Sequence, residues 1–110
     1  MIMICQLLLE MPHLFYLLNK EETTMILKDT INMMTSEDYK ERFKAEYYQL
    51  KVRIDGLEKM LKSWDEGTLT FKPTCPRKLY DDQLKAMRNY IGILIIRAQM
   101  EGIEDIDFGA

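Results

Sequence analysis

The sequence predicts an all-α protein. It reads as an antiparallel helical hairpin with a short N-terminal helix or arm, assembling into a homo-oligomeric helical bundle. Three observations predict this. Phe43, Tyr47, Leu50, Ile54, Leu57, Leu61 and Trp64 recur at alternating spacings of four and three, which sets them on one stripe of a helix. Tyr80, Leu84, Met87, Ile91, Leu94 and Ala98 repeat the pattern. Residues 66–78 between them are rich in Gly, Thr and Pro, so the chain turns there and lays one stripe against the other.

Residues 1–24 form a doubtful leader or amphipathic segment. The run 1–18 is apolar but is interrupted by Gln6, Glu10, Pro12 and His13, a poor membrane span. It carries no basic n-region and no small-residue cleavage site, a poor signal peptide. Two readings stand: an amphipathic helix broken at Pro12, or a translated leader. Lys20-Glu21-Glu22 can be encoded by a strong ribosome-binding sequence, with Met25 following closely. Translation starting at Met25, Met33 or Met34 is therefore expected on the second reading. An intact Met1 peptide in mass spectrometry of the natively expressed protein would exclude it.

Residues 25–103 form the hairpin domain. Ile26, Leu27, Ile31, Met33 and Met34 suffice for a short helix or ordered arm. Thr35 and Ser36 are good caps, and Asp38 three residues after Thr35 resembles a capping box. The first long helix is expected over 36–64, with Gly56 as its one weak interior point, compensated by close approach of another backbone. Thr68-Leu69-Thr70-Phe71 alternates briefly like an extended piece before Pro73 and Pro76. The second long helix is expected to begin near 77–81 and to end at Gly102. Residues 104–110 read as an acidic tail.

Composition bounds function. One domain at most fits in 110 residues, and a thin helical seam is a small core for which oligomerisation is a common remedy. A net charge of −3 argues against general DNA affinity. The charge is uneven: residues 40–62 carry seven basic and four acidic side chains, a segment suited to a small anion. Cys5 and Cys75 are too few for a disulfide framework, and reduced thiols of a cytosolic protein are expected. One histidine and two cysteines lack zinc-ligand spacing, so no metal and no cofactor is expected.

The stretch Ile91-Gly92-Ile93-Leu94-Ile95-Ile96 is apolar nearly all round. Such a helix is buried on more than one face. Ile91, Gly92, Ile95 and Ile96 are therefore expected at a subunit interface. The alternative is that the arm at 25–34 folds over that second face.

No catalytic constellation emerges. His13 sits in the leader, and Asp81-Asp82 occupies a first helical turn, where the dipole accounts for it. No Gly-rich phosphate loop or nucleophile motif occurs, so an enzyme is not expected. Binding has better material. Lys44, Tyr48 and Lys51 line up at i, i+4 and i+7 beside the seam, and tyrosines stack on bases while cations pair with phosphates. Thr70 and Lys72 of the loop add a hydroxyl and a charge. On residue pattern alone, a solvated face with Tyr47 in the core is the plainer reading and outweighs a site.

Family resemblance changes that weighing. The run from Met34-Thr35-Ser36-Glu37-Asp38-Tyr39 through Gln49-Leu50-Lys51, the Gly67-Thr68-Leu69 and Pro73-Thr74-Cys75 loop, and Ile96-Arg97-Ala98-Gln99-Met100-Glu101-Gly102-Ile103 resemble a family of small bacteriophage and prophage proteins linked to crAss-like phages. More remotely, Leu50-Lys51 and the spacing to Leu57, Met60 and Leu61 are similar to the helical hairpin of phage anti-CBASS and anti-Thoeris sponges. Those proteins sequester cyclic-nucleotide immune signals without cleaving them, and the anti-CBASS sponge is a hexamer with ligands between protomers. The resemblance puts Lys51 where the sponges have a phosphate-binding lysine. It puts Ser36 where they have a tyrosine, with Tyr39 nearby.

The resemblance thus implies a cytoplasmic anti-defence protein of a bacterial host, made during phage infection or from a prophage. It would be a homo-oligomer, hexameric in the sponge manner, and bind a cyclic dinucleotide or trinucleotide at Lys44, Tyr48, Lys51, Thr70 and Lys72. It would engage no DNA and no membrane. The alternative is a protein-interaction hairpin that blocks a host defence protein or serves as a phage adaptor.

Overall fold

The computed structural model describes residues 24–104 and 106. In chain order it has a 3-10 turn at Leu27–Thr30, a one-turn helix α1 (Ile31–Met34), and two long helices, α2 (Tyr39–Glu66) and α3 (Arg77–Glu101). The described residues contain helices, turns and no strand, as the all-α reading expects. The expectations for residues 1–23, His13 and Cys5 among them, lie outside the described residues.

Contacts between α2 and α3 run in opposite order along the two helices. Tyr39 Oη donates to Glu101 at 2.7 Å and the Arg97 guanidinium lies over the Phe43 ring at 5.1 Å. Further along, Tyr90 Oη donates to Glu46, Arg88 binds Glu58 at 2.6 Å, and Arg77 binds Asp65 beside the loop. Both predicted stripes face the shared seam. Phe43, Tyr47, Leu50, Ile54 and Leu61 are buried against Leu84, Ile91, Leu94 and Ala98. Leu57, Met60, Trp64, Tyr80 and Met87 are half-buried at its edges.

The helix ends follow local chemistry. α2 begins at Tyr39, not near Ser36, because Asp38 is the N-cap: its carboxylate accepts from the Lys40 amide at 2.9 Å. Ser36 Oγ is already engaged in a turn, accepting from the Asp38 amide at 3.0 Å. α2 stops at Gly67 and α3 at Gly102, both left-handed at φ 72°, a conformation glycine adopts without a side-chain penalty. The stretch 68–71 is bends and coil without strand pairing; four residues before two prolines have no partner edge. Gly56 is exposed, and a methyl group there would meet nothing within 4 Å. The expected close approach of a backbone at Gly56 is therefore not present in the single chain.

The arm packs along α2. Gln49 Nε2 donates to Thr30 Oγ1 at 3.1 Å and to Met34 Sδ at 3.0 Å, and Thr30 is buried. Past α3, Ile103 and Ile106 turn back into the core, with the Ile103 amide donating to Ala98 O at 2.8 Å. Ile106 is thus a core residue inside the stretch that composition reads as tail. No described helix is long and apolar enough to cross a membrane.

Candidate functional site

From Asp55 onward α2 carries charged residues just after its seam positions: Glu58 and Lys59 after Leu57, Lys62 after Leu61, Asp65 after Trp64. α3 answers with Arg77, Asp81 and Arg88 beside Tyr80, Leu84 and Met87. Long charged side chains cannot enter an apolar seam, so they line its mouth. The result is a groove of about 690 Å³ between the two helices, floored by Leu61 and Leu84 and walled by four carboxylates and four cations. That volume lies in the range of small-molecule sites.

Arg77 is the most constrained wall residue. It donates to Asp65 through both terminal nitrogens and to Asp81 through Nε at 3.0 Å. Its guanidinium sits over Trp64 at 5.5 Å, which packs edge-on against Tyr80. The Arg77 hydrogen bond holds the Asp65 carboxyl below the usual aspartate range. The carboxylates of Asp65 and Asp81 in turn push Arg77 upward. Both stay charged at neutral pH and present fixed charge.

Arg88 is held differently. One terminal nitrogen donates to Glu58 at 2.6 Å. Its Nε is buried and has no hydrogen-bond partner, the one such side-chain atom among the described residues. A buried donor left unpaired costs about 1–3 kcal/mol, so its persistence calls for an explanation.

The residues expected from sequence fall in three places. Lys44 and Lys51 are buried. Lys44 pairs with Glu41 at 3.1 Å and Lys51 with Asp55 at 3.1 Å. Tyr48 is half-buried, edge-on to Tyr47 at 5.3 Å. These three share one face of α2, and Lys51 reaches the groove through Asp55, which lines its upper end. Thr70 and Lys72 are exposed in the loop that follows the end of α2. Ile91, Gly92, Ile95 and Ile96 are all buried within the single chain. The exposed side of α3 is a different stripe, Leu79, Ala86, Tyr90, Ile93 and Met100.

Glu58, Lys59 and Arg88 were not expected at a site. Their signal was present, since Glu58 and Arg88 directly follow the seam positions Leu57 and Met87, where charged residues set pairing between helices. Among the described residues no cluster of His, Cys, Asp or Glu is placed to hold a metal ion, and Cys75 is a free, half-buried thiol.

Comparison with known proteins bears on what such a groove is for. Residues 37–100 match the family model described as Sequestin. That span covers α2, the loop and nearly all of α3. No curated protein matches, and no solved structure matches.

Proposed function

This chain belongs to the Sequestin family, and from that membership we propose that it sequesters a small anionic signal by binding it without turnover. The family name denotes sequestration, and the groove supplies a means. The observation that carries the reading is the ring of fixed charges around an apolar floor, with the buried Lys51–Asp55 pair at its upper end. Arg77 and Asp65 are shifted away from neutral pH in opposite directions. They suit holding a ligand better than passing protons, since proton transfer favours groups that titrate near the working pH.

The ligand we favour is a cyclic dinucleotide or trinucleotide of a bacterial immune system, met in the host cytoplasm as an anti-defence device of phage or prophage. Such a ligand joins phosphodiester charge to aromatic bases. Lys44, Tyr48 and Lys51 offer cations and a ring on one face of α2. Assembly of the antiparallel hairpin into a homo-oligomer belongs to the same reading. The exposed stripe on α3 supports it: Leu79, Ala86, Ile93 and Met100 recur every seven residues along the helix, with Tyr90 beside them. A second copy packed along it would bring two grooves into one particle.

The test is a calorimetric titration with a panel of cyclic nucleotides, followed by denaturation and recovery of the ligand. Sequestration requires saturable heat and chemically intact ligand on release. Binding is expected to fall in Lys51→Ala and to persist in Lys51→Arg. Recovery of a cleaved ligand, or no heat from any member of the panel, would end the reading.

A further inference from the structure

We propose that the groove between α2 and α3 is the anion seat of this protein, with Arg88 gripping a phosphodiester while Asp55 and Asp65 accept hydrogen bonds from the ligand's sugar or base. The inference rests on the sequestering reading and deepens it by naming the anchor and the kind of anion.

Arg88 is the natural anchor because its present bonding is incomplete. A guanidinium offers five N–H donors in a planar fork, and phosphates bind two of them side by side. Glu58 uses the fork at one nitrogen, and Nε is buried without any acceptor. An arriving phosphodiester oxygen meets that unused donor. Arg77 is not equivalent: Asp65 and Asp81 engage all three of its nitrogens. Lys59 and Lys62 line the same wall and add positive potential near the seat.

The carboxylates set the ligand's charge. Asp55, Glu58, Asp65 and Asp81 stand in the same groove as Lys59, Lys62, Arg77 and Arg88, so the lining is balanced. A dense anion such as pyrophosphate meets as much repulsion as attraction there. A ligand with one negative charge per phosphate and nearby N–H or O–H donors meets complementary partners on both walls, because each ionised carboxylate accepts more than one hydrogen bond. That is the description of a nucleotide phosphodiester. The apolar floor at Leu61 and Leu84 gives a base or sugar face somewhere dry to lie.

Two substitutions act in opposite directions, which a merely structural role of Arg88 would not produce. Arg88→Gln removes the anchor and is expected to weaken binding about ten- to hundredfold. Glu58→Gln removes a negative charge from beside the seat and is expected to tighten binding, since the anion then meets less repulsion next to Arg88. Arg88→Lys keeps the charge and loses the fork, and falls between wild type and Arg88→Gln. It also decides the matter should Arg88→Gln fail to fold, as checked by thermal melting.

The titration uses the full chain with cyclic di-AMP, cyclic GMP–AMP, cyclic AMP, AMP and inorganic pyrophosphate. Support is the ordered series Glu58→Gln, wild type, Arg88→Lys, Arg88→Gln for at least one nucleotide, with pyrophosphate weaker than that nucleotide. Nucleotide binding that is unchanged in Arg88→Gln and Glu58→Gln overturns the groove as the seat and leaves sequestration standing. Pyrophosphate binding as tightly as any nucleotide overturns the phosphodiester assignment. Silence from every probe on wild type overturns the nucleotide reading and this inference together.

Discussion

The two halves of the helix pair solve different problems. In the half remote from the loop, Tyr47, Ile54, Ile91, Leu94, Ile95 and Ala98 are at most 2 % exposed, and the helices meet along an apolar seam. In the half beside the loop, the seam thins to Leu61 and Leu84, and charged pairs hold its rim. Apolar area removed from water stabilises at roughly 25 cal/mol per Å², whereas exposed ion pairs contribute about 0–1 kcal/mol. The remote half therefore carries most of the stability. The loop half is relieved of that duty and holds an open, charged groove. A functional site can stay under-packed when another part of the same two helices secures the fold.

The sharpest way to break this contrast is to truncate one leucine in each half. Leu94→Ala, at 0 % exposure, is expected to cost about 3–5 kcal/mol. Leu84→Ala, at 7 % exposure beside an open groove, is expected to cost about 2 kcal/mol because less apolar area and a smaller closed cavity are involved. Denaturant unfolding with an unchanged m-value measures both. Equal losses would show the two halves to be alike.

Gly56, at the junction of the halves, gives a smaller effect with the opposite sign. The position is helical, exposed and open to a methyl group. Gly56→Ala is expected to stabilise by about 1 kcal/mol. A loss measured in the same unfolding experiment would mean that a backbone does approach this point in the assembled protein.

The smallest effect belongs to pH and to the loop half alone. Asp65 titrates below its ordinary value of 3.8 because Arg77 donates to its carboxylate. The stabilisation is therefore complete above that ordinary value and is lost as pH falls through the lower, folded one. Asp65 is exposed, so the change is slight. Melting midpoints followed from pH 6 down to about pH 3 should fall slightly less in Asp65→Asn than in wild type. Identical curves would remove the Asp65–Arg77 pair from the account of this half.

Much of this molecule was legible in its sequence, and what was not shares a cause. The stripes through Tyr47 and Leu94 are periodic, so their faces follow from the pitch of a helix. The stops at Gly67 and Gly102 follow from the one residue type that turns left-handed freely. The start of α2 slipped by a few residues because Ser36, Asp38 and Thr35 are all competent caps, and the choice turns on which side chain is already bonded. The groove residues were missed for a deeper reason. Arg88 and Glu58 lie 30 positions apart, and neither belongs to a motif. Only the register of one helix on the other makes them neighbours.

The short connection between α2 and α3 has a kinetic consequence. Arg77 and Asp65 are 12 residues apart in the chain, whereas Tyr39 and Glu101 are 62 apart. Closing the shorter loop first costs about 1.4 kcal/mol less chain entropy than closing the longer one directly. The chain is therefore expected to zip from the turn outward, bringing the groove's walls together before the apolar seam that secures them. Replacing Leu61 should slow refolding, and replacing Leu94 should chiefly hasten unfolding; the reverse pattern in stopped-flow traces would place the nucleus at the other end.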